Sequence, residues 1–191
     1  MTLSTKERLI SEAASLLDAG GESAVTLRAV AEAAGVSHNA PYRHFKNRSD
    51  LLAAVAEQDF VALAKNFRNL GKGQSSPERA LRAAASTLIA YARKHPARYR
   101  HLFSDSGLAS SGGTMEVAAL DAFQAFGELV DRYNKGGKLQ SIKTLKLTGL
   151  IYATLHGCID LELGGRAREA KGLGDIESTT DLLFMLISRN R

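Results

Sequence analysis

One cysteine, Cys158, is all that the 191-residue chain contains. A single thiol closes no internal disulfide, so packing must hold the fold, and a lone thiol suits a reducing cytoplasm. Cys158 itself reads as a small buried residue of a helix. Long apolar runs are also missing: none approaches the roughly 20 residues that a membrane span needs. The first ten residues carry Lys6, Glu7 and Arg8 and do not read as a secretory signal. Several enzyme signatures are absent, among them Gly-x-x-x-x-Gly-Lys-Ser/Thr, Gly-x-Ser-x-Gly and His-Glu-x-x-His. His95, His101 and Asp105 match no familiar metal-ligand spacing. No catalytic residue, metal or cofactor is therefore expected.

No segment shows sustained period-two alternation between hairpin turns, which removes β architectures and leaves helical periodicity. Ser4-Thr5-Lys6-Glu7 is a capping box, followed by Leu9, Ile10, Ala13, Leu16 and Leu17 at helical spacing. Gly20-Gly21 ends that helix. Thr26 caps a short second helix carrying Leu27, Val30, Ala31 and Ala34, which Gly35 ends. Ser37 caps a third, from about His38 to Phe45. Asn47 and Asp50 open a fourth, whose apolar stripe runs from Leu51 to Phe67. Gly71 to Ser75 reads as a linker, and Ser76-Pro77-Glu78 as a restart with Pro at the first helical position. That helix runs to about His95, where Pro96 breaks it, and a shorter one covers about Ala97 to Phe103. Ser104 to Thr114 is rich in Ser and Gly and reads as a loop. Helices at about 115–133 and 142–163 flank Gly136-Gly137, and a last one spans about 176–189. The expectation is an all-α chain of about nine helices. A three-helix, helix-turn-helix head occupies residues 1–50 and a helical bundle body residues 51–191.

The formal net charge of +5 favours contact with phosphate without proving it. Its placement says more. Between Arg28 and Arg48 only Glu32 opposes Arg28, Arg43, Lys46 and Arg48, so the head has a basic tip. A second excess from Lys65 to Arg100 reads as solvated helix faces.

Two short helices joined by a tight turn at Gly35 form a helix-turn-helix unit, which lays the outer face of its second helix in the major groove. That face offers His38, Asn39, Tyr42 and Arg43, with His44 at its end and Lys46 and Arg48 just beyond. Asn suits an adenine edge and Arg a guanine edge. Thr26, Ser37, Tyr42, Lys46 and Arg48 suit phosphate oxygens. Arg28 reads equally as solvated or DNA-facing, Tyr42 also as a packed aromatic, and His44 also as a cation favoured by the helix dipole. With Ser37 as cap, Pro41 falls at the fourth helical position, where its missing N–H is expected to lack a partner anyway.

Thr26-Leu27-Arg28, Val30-Ala31, Ala34-Gly35-Val36-Ser37, Tyr42, His44-Phe45 and Asn47-Arg48-Ser49-Asp50-Leu51 together resemble the signature of the TetR family of transcriptional regulators. The resemblance covers roughly the first 60 residues. Pro41 stands where a larger apolar residue is usual, and Arg48 where Lys is. The resemblance implies a homodimeric, ligand-released repressor on a partly palindromic operator, one reading helix per half-site, ~34–36 Å or a near multiple apart. An effector bound in the body would weaken DNA binding to the extent that it prefers a splayed dimer.

In the body, Leu155-His156-Gly157, Asp160-Leu161-Glu162-Leu163 and the run from His95 to Arg100 resemble the Trp-His-Gly subgroup of TetR-like C-terminal domains, with Leu155 in place of the Trp. The same resemblance implies that the last two long helices pair with their symmetry mates in a four-helix interface. Leu182, Leu183, Leu186 and Ile187 are its candidates, and each reads equally as intramolecular core. The effector pocket is expected among the helices of about 51–70, 77–95, 97–103 and 115–133. Phe67, Tyr91, Tyr99, Phe103, Phe123, Phe126, Tyr152 and His156 are its candidate lining, though ordinary core packing also explains each. A non-specific architectural DNA binder and a small helical enzyme are the rival readings. A repressor should prefer its operator over random DNA by ~10³-fold or more.

Overall fold

The computed structural model describes residues 3–73, 76–103, 113–135 and 142–189. Among these described residues there are eight α-helices and no strand. They are α1 (Thr5–Ala24), α2 (Leu27–Ala33), α3 (Arg48–Gly73), α4 (Pro77–Lys94), α5 (Pro96–Phe103), α6 (Thr114–Lys135), α7 (Thr144–Leu163) and α8 (Ile176–Arg189). Short 3-10 turns lie at Pro41–Arg43 and Glu169–Lys171. The all-α expectation holds. Most of the expected loop from Ser104 to Thr114, including Asp105, lies outside the described residues, as do Gln74, Ser75 and Gly136-Gly137.

The helices form two compact units that interleave along the chain. The first comprises Met1–Ala62 with His95–Leu120, the second Leu63–Lys94 with Asp121–Arg191. The first unit therefore contains α5 as well as the head.

In the first unit, Ser4 Oγ accepts from the Glu7 N–H at 3.2 Å while Glu7 Oε2 accepts from the Ser4 N–H at 2.7 Å. This reciprocal pair fixes where α1 begins. Leu9, Ile10, Ala13 and Leu17 then bury one face of α1. They pack with Val25, Leu27, Val30, Phe45, Leu51, Leu52 and Val55 in one cluster, with Ala97 of α5 against it. Each fully buried Leu or Val contributes roughly 1.5–3 kcal/mol. The core of the head is thus built from α1, α2, the segment that carries Phe45 and the start of α3, with α5 against it.

In the second unit, α4 buries Leu81, Ala84, Ala85, Leu88, Ile89 and Ala92 at helical spacing. It packs on both α7 and α8, which also pack on each other. Leu147, Ile151, Leu155 and Ile159 supply the α7 side, and Ile176 and Phe184 the α8 side. Two arginines of α4 clip this bundle from outside. Arg82 reaches Glu78 at 3.1 Å and Asp181 at 2.5 Å, with its guanidinium 4.9 Å from the Phe184 ring centre. Arg93 spans Glu162 of α7 at 2.7 Å and Glu177 of α8.

Gly71 corrects one sequence expectation. Read as the start of a linker, it is instead part of α3, which continues to Gly73. A Cβ at position 71 would meet Arg132 Nη1 and Leu129 Cδ2, each at 3.2 Å, and Arg132 donates to the Gly71 carbonyl. The glycine serves close helix packing there, not chain flexibility.

Candidate nucleic-acid interface

The candidate interface starts at Thr26. Its extended backbone (φ −121°, ψ 152°) puts it at the N-cap of α2, and its Oγ1 accepts from the Ala29 N–H at 3.1 Å. Leu27, Val30 and Ala31 bury the inner face of that short helix. Its end is a Schellman motif. The Val36 N–H bonds to the Ala31 carbonyl and the Gly35 N–H to the Glu32 carbonyl, each at 3.0 Å. Gly35 adopts φ +62°, a conformation that a side chain resists.

The segment after the turn differs from the expected helix. Residues 38–40 form a turn and Pro41–Arg43 a 3-10 turn. Ser37 does not cap it with its side chain. Its backbone carbonyl accepts from the Ala40 N–H at 2.9 Å, and Ala40 at the N-cap makes no side-chain capping bond. Pro41 gives the reason. With Ser37 as cap, the fourth helical N–H is the first that an α-helix uses, and proline has none. The Ser37 carbonyl therefore takes the donor one residue earlier, which tightens the segment to 3-10 geometry. Pro41 is buried, as is Phe45, whose N–H returns to the Pro41 carbonyl at 2.9 Å. The two side chains pin the segment to the core of the first unit.

Around these anchors the candidate face is open. His38, Asn39, Tyr42, Arg43 and His44 are exposed, Tyr42 to 62%. Tyr42 lies outside the buried cluster of the first unit. Thr26, Arg28, Ser37 and Lys46 are exposed in the same unit. Asn47 and Asp50 close the segment by capping α3. Asn47 Oδ1 accepts from the Asp50 N–H at 2.8 Å, and Asp50 Oδ2 from the Lys46 N–H at 3.0 Å.

Arg48 is placed differently from the other nine candidates. Its Nε donates to the Val25 carbonyl at 2.7 Å, its Nη2 donates to the Glu22 carbonyl, and Nη2 lies 3.6 Å from the Glu22 carboxylate. The guanidinium thus satisfies carbonyls at the end of α1. That is a structural task, where the sequence suggested a phosphate contact. Sequence reasoning also passed over Glu22, its partner 26 residues away.

The effector candidates fall into separate groups. Tyr99 and Phe103 belong to the first unit, where their ring centres are 5.0 Å apart and Phe60 meets Phe103 edge-on at 5.5 Å. In the second unit Phe67 pairs with Phe126 at 5.6 Å. Phe123 meets Tyr152 at 5.4 Å, and Tyr152 meets His156 at 4.1 Å. Tyr91 is half-buried in α4. Burial pushes the His156 imidazole down to about 4, so it is neutral at pH 7, and pushes the Tyr152 phenol up. Among the described residues no three His, Cys, Asp or Glu side chains gather as a metal site, and no helix is long and apolar enough to cross a membrane.

The outer faces of α7 and α8 are unusually apolar. Leu145 and Leu150 are 71% and 54% exposed, and Leu182 and Leu186 about half. Met185 joins them, whereas Leu183 and Ile187, also candidates from sequence, are half-buried. Gly149, Ala153 and Gly157 recur every fourth residue along α7. Ala153 is exposed, and a Cβ at either glycine would meet nothing within 4 Å. The sequence reading missed this stripe, although its spacing was visible.

Comparison with known proteins agrees with this anatomy. Residues 9–55 match the family described as bacterial regulatory proteins, tetR family, and residues 81–184 match the tetracyclin repressor-like C-terminal domain. The chain belongs to the TetR family, and it is a DNA-binding transcriptional regulator. A protein of unknown function from Rhodococcus sp. RHA1 shares the fold with a TM-score of 0.82 at 22% identity, over 98% of this chain and 95% of that one. The fatty acid degradation regulator FadR from Bacillus halodurans aligns over the whole of both chains with a TM-score of 0.71 at 16% identity. The nucleoid occlusion factor SlmA of Glaesserella parasuis serovar 5 (strain SH0165) is 32% identical over 76 residues, 40% of this chain and 37% of that protein. The chain therefore matches little more than a third of that relative's length.

Proposed function

We propose that this regulator is a ligand-released repressor that binds a partly palindromic operator as a homodimer in the cytoplasm. The observation that carries the reading is the exposed row His38, Asn39, Tyr42, Arg43 and His44, carried on a segment anchored by the buried Pro41 and Phe45. Asn39 and Arg43 have the chemistry for base edges, and Tyr42, Lys46, Thr26 and Ser37 that for phosphate oxygens. Arg28 lies at the start of α2, where a phosphate contact suits it. The exposed apolar stripes of α7 and α8 support dimerisation through those helices, and the small residues of α7 would let its symmetry mate approach closely. For the effector we favour the Phe123, Tyr152 and His156 group. Its aromatic faces and neutral imidazole suit an uncharged or apolar molecule with a hydrogen-bonding group.

Substitutions at the reading row test the division of labour. Asn39→Ala and Arg43→Ala should each relax preference at particular base pairs, by about 1–3 kcal/mol. Tyr42→Phe and Lys46→Ala should weaken binding to all duplexes alike, and Lys46→Ala should lower the salt slope by about one. Affinities for a panel of single-base operator variants at two salt concentrations check this. Uniform loss from all four would sink the base-reading role of Asn39 and Arg43.

A further inference from the structure

Two of the five histidines line one seam of the first unit, where α5 packs along α1. His95 Nδ1 lies 2.7 Å from Asp18 Oδ2. Arg98 reaches Asp18 at 3.4 Å and Asp59 of α3 through its Nε at 3.0 Å. One turn further, His101 Nδ1 lies 2.8 Å from Glu22 Oε1. The His101 side chain is only 3% exposed, and its Nε2 lies 3.2 Å from the Leu52 carbonyl of α3. Both ring nitrogens therefore face acceptors, one a carboxylate and one a backbone carbonyl. A neutral imidazole has a single N–H and serves only one of them; the imidazolium donates to both.

Glu22 extends the connection. Its carboxylate faces His101 on one side and Arg48 on the other, and Arg48 also holds the Glu22 and Val25 carbonyls that lead into α2. A continuous chain of donors and acceptors thus runs from α5 through the end of α1 to the start of α3. One proton on His101 decides whether its α5 end holds both α1 and α3.

We propose that this seam is a proton-operated latch: protonated His101 clamps α5 to α1 and α3 beside the helix-turn-helix, and operator binding responds to pH through it. The proposal rests on the reading of the chain as an operator-binding regulator. Among the described residues, the charged and titratable groups facing the latch include Glu22 and Asp18 from α1, Arg48 and Asp59 from α3, and His95 and Arg98 from the α5 side. Among these seam groups, a neutral His101 leaves three carboxylates against two guanidiniums; a charged His101 makes it three against three. Proton uptake at His101 therefore removes the local negative excess. Histidine is the side chain whose ordinary titration range, pH 5 to 8, makes this possible. The protonated ring makes one more bond in the fold than the neutral one. Its stabilisation is thus present at low pH and is lost as the pH rises.

The test uses the full chain and compares the native protein with a variant. Nitrogen-15 spectra should show both His101 ring nitrogens protonated at the low end of the pH range, and one of them deprotonated at the high end. Raising the pH from about 5.5 to about 8 should cost the native protein about tenfold in folding equilibrium relative to His101→Gln, the worth of one charge-assisted hydrogen bond. Over the same range, operator affinity should change about fivefold or more further in the native protein than in His101→Gln, the low end of allosteric coupling. A single neutral His101 tautomer throughout would overturn the latch, as would parallel pH profiles of the two proteins. If His101→Gln does not fold, the spectra of the native protein decide. A chain that binds no operator at any pH would defeat the repressor reading instead, and parallel profiles with an operator bound would defeat the latch alone.

Discussion

Glutamate in place of Leu186 or Ala153 is expected to turn the dimer into a monomer and to weaken operator binding by roughly 10²- to 10⁴-fold. That is the range by which linking two binding modules exceeds one alone. Both positions are exposed on the chain by itself, Leu186 to 52%. Surface substitutions of this kind usually change stability by no more than about 0.5 kcal/mol, so the helical spectrum and melting of the protomer should survive. In a dimer built on α7 and α8 the same carboxylate would be removed from water, at an effective penalty of several kcal/mol. Leu183 and Ile187, being half-buried, are poorer probes because their replacement would disturb the fold as well. Sedimentation at micromolar concentration checks the result. A Leu186→Glu protein that remained dimeric and bound operator normally would move the interface elsewhere.

The second large effect is expected at Arg48. Arg48→Ala removes the donors to the Val25 and Glu22 carbonyls and the neighbour of the Glu22 carboxylate at one stroke. Hydrogen bonds to a charged group contribute roughly 1.5–3 kcal/mol. The side chain is 41% exposed, which favours the lower part of that range, about 2 kcal/mol. Arg48→Lys should recover little, because an ammonium cannot serve two carbonyls with the planar fork of a guanidinium. Thermal unfolding and amide exchange at the end of α1 would register the loss. The salt dependence of operator binding separates this account from a phosphate contact. A strut leaves the slope of log K against log salt unchanged, whereas a lost phosphate contact lowers it by about one. A lowered slope with unchanged stability would return Arg48 to the DNA.

What the sequence revealed and what it hid divide along the distance that an interaction spans. The capping box at Ser4 and Glu7, the Thr26 cap, the turn at Gly35 and the Pro77 restart were all legible, because each joins residues within about one helical turn. The exposure of His38, Asn39, Tyr42, Arg43 and His44 was legible from the same local pattern. The backbone of that row was not, since counting the orphan N–H groups of a helix decides whether Pro41 costs a bond, and the fourth position is one too late. Glu22 gave no local sign of its role. Its partners Arg48 and His101 lie 26 and 79 residues away, and only tertiary packing brings them to one carboxylate. Gly71 misled because glycine marks close packing as readily as flexibility.

Whether this chain reads sequence through its helix-turn-helix, two chains to a palindrome, is tested most directly by selecting bound duplexes from a random pool and titrating the winning site against a scrambled copy at fixed salt. The expected result is a palindromic motif, one dimer per site, and a preference of ~10³-fold or more over the scrambled duplex. Enrichment of no motif, with equal affinity for both duplexes, would contradict that reading.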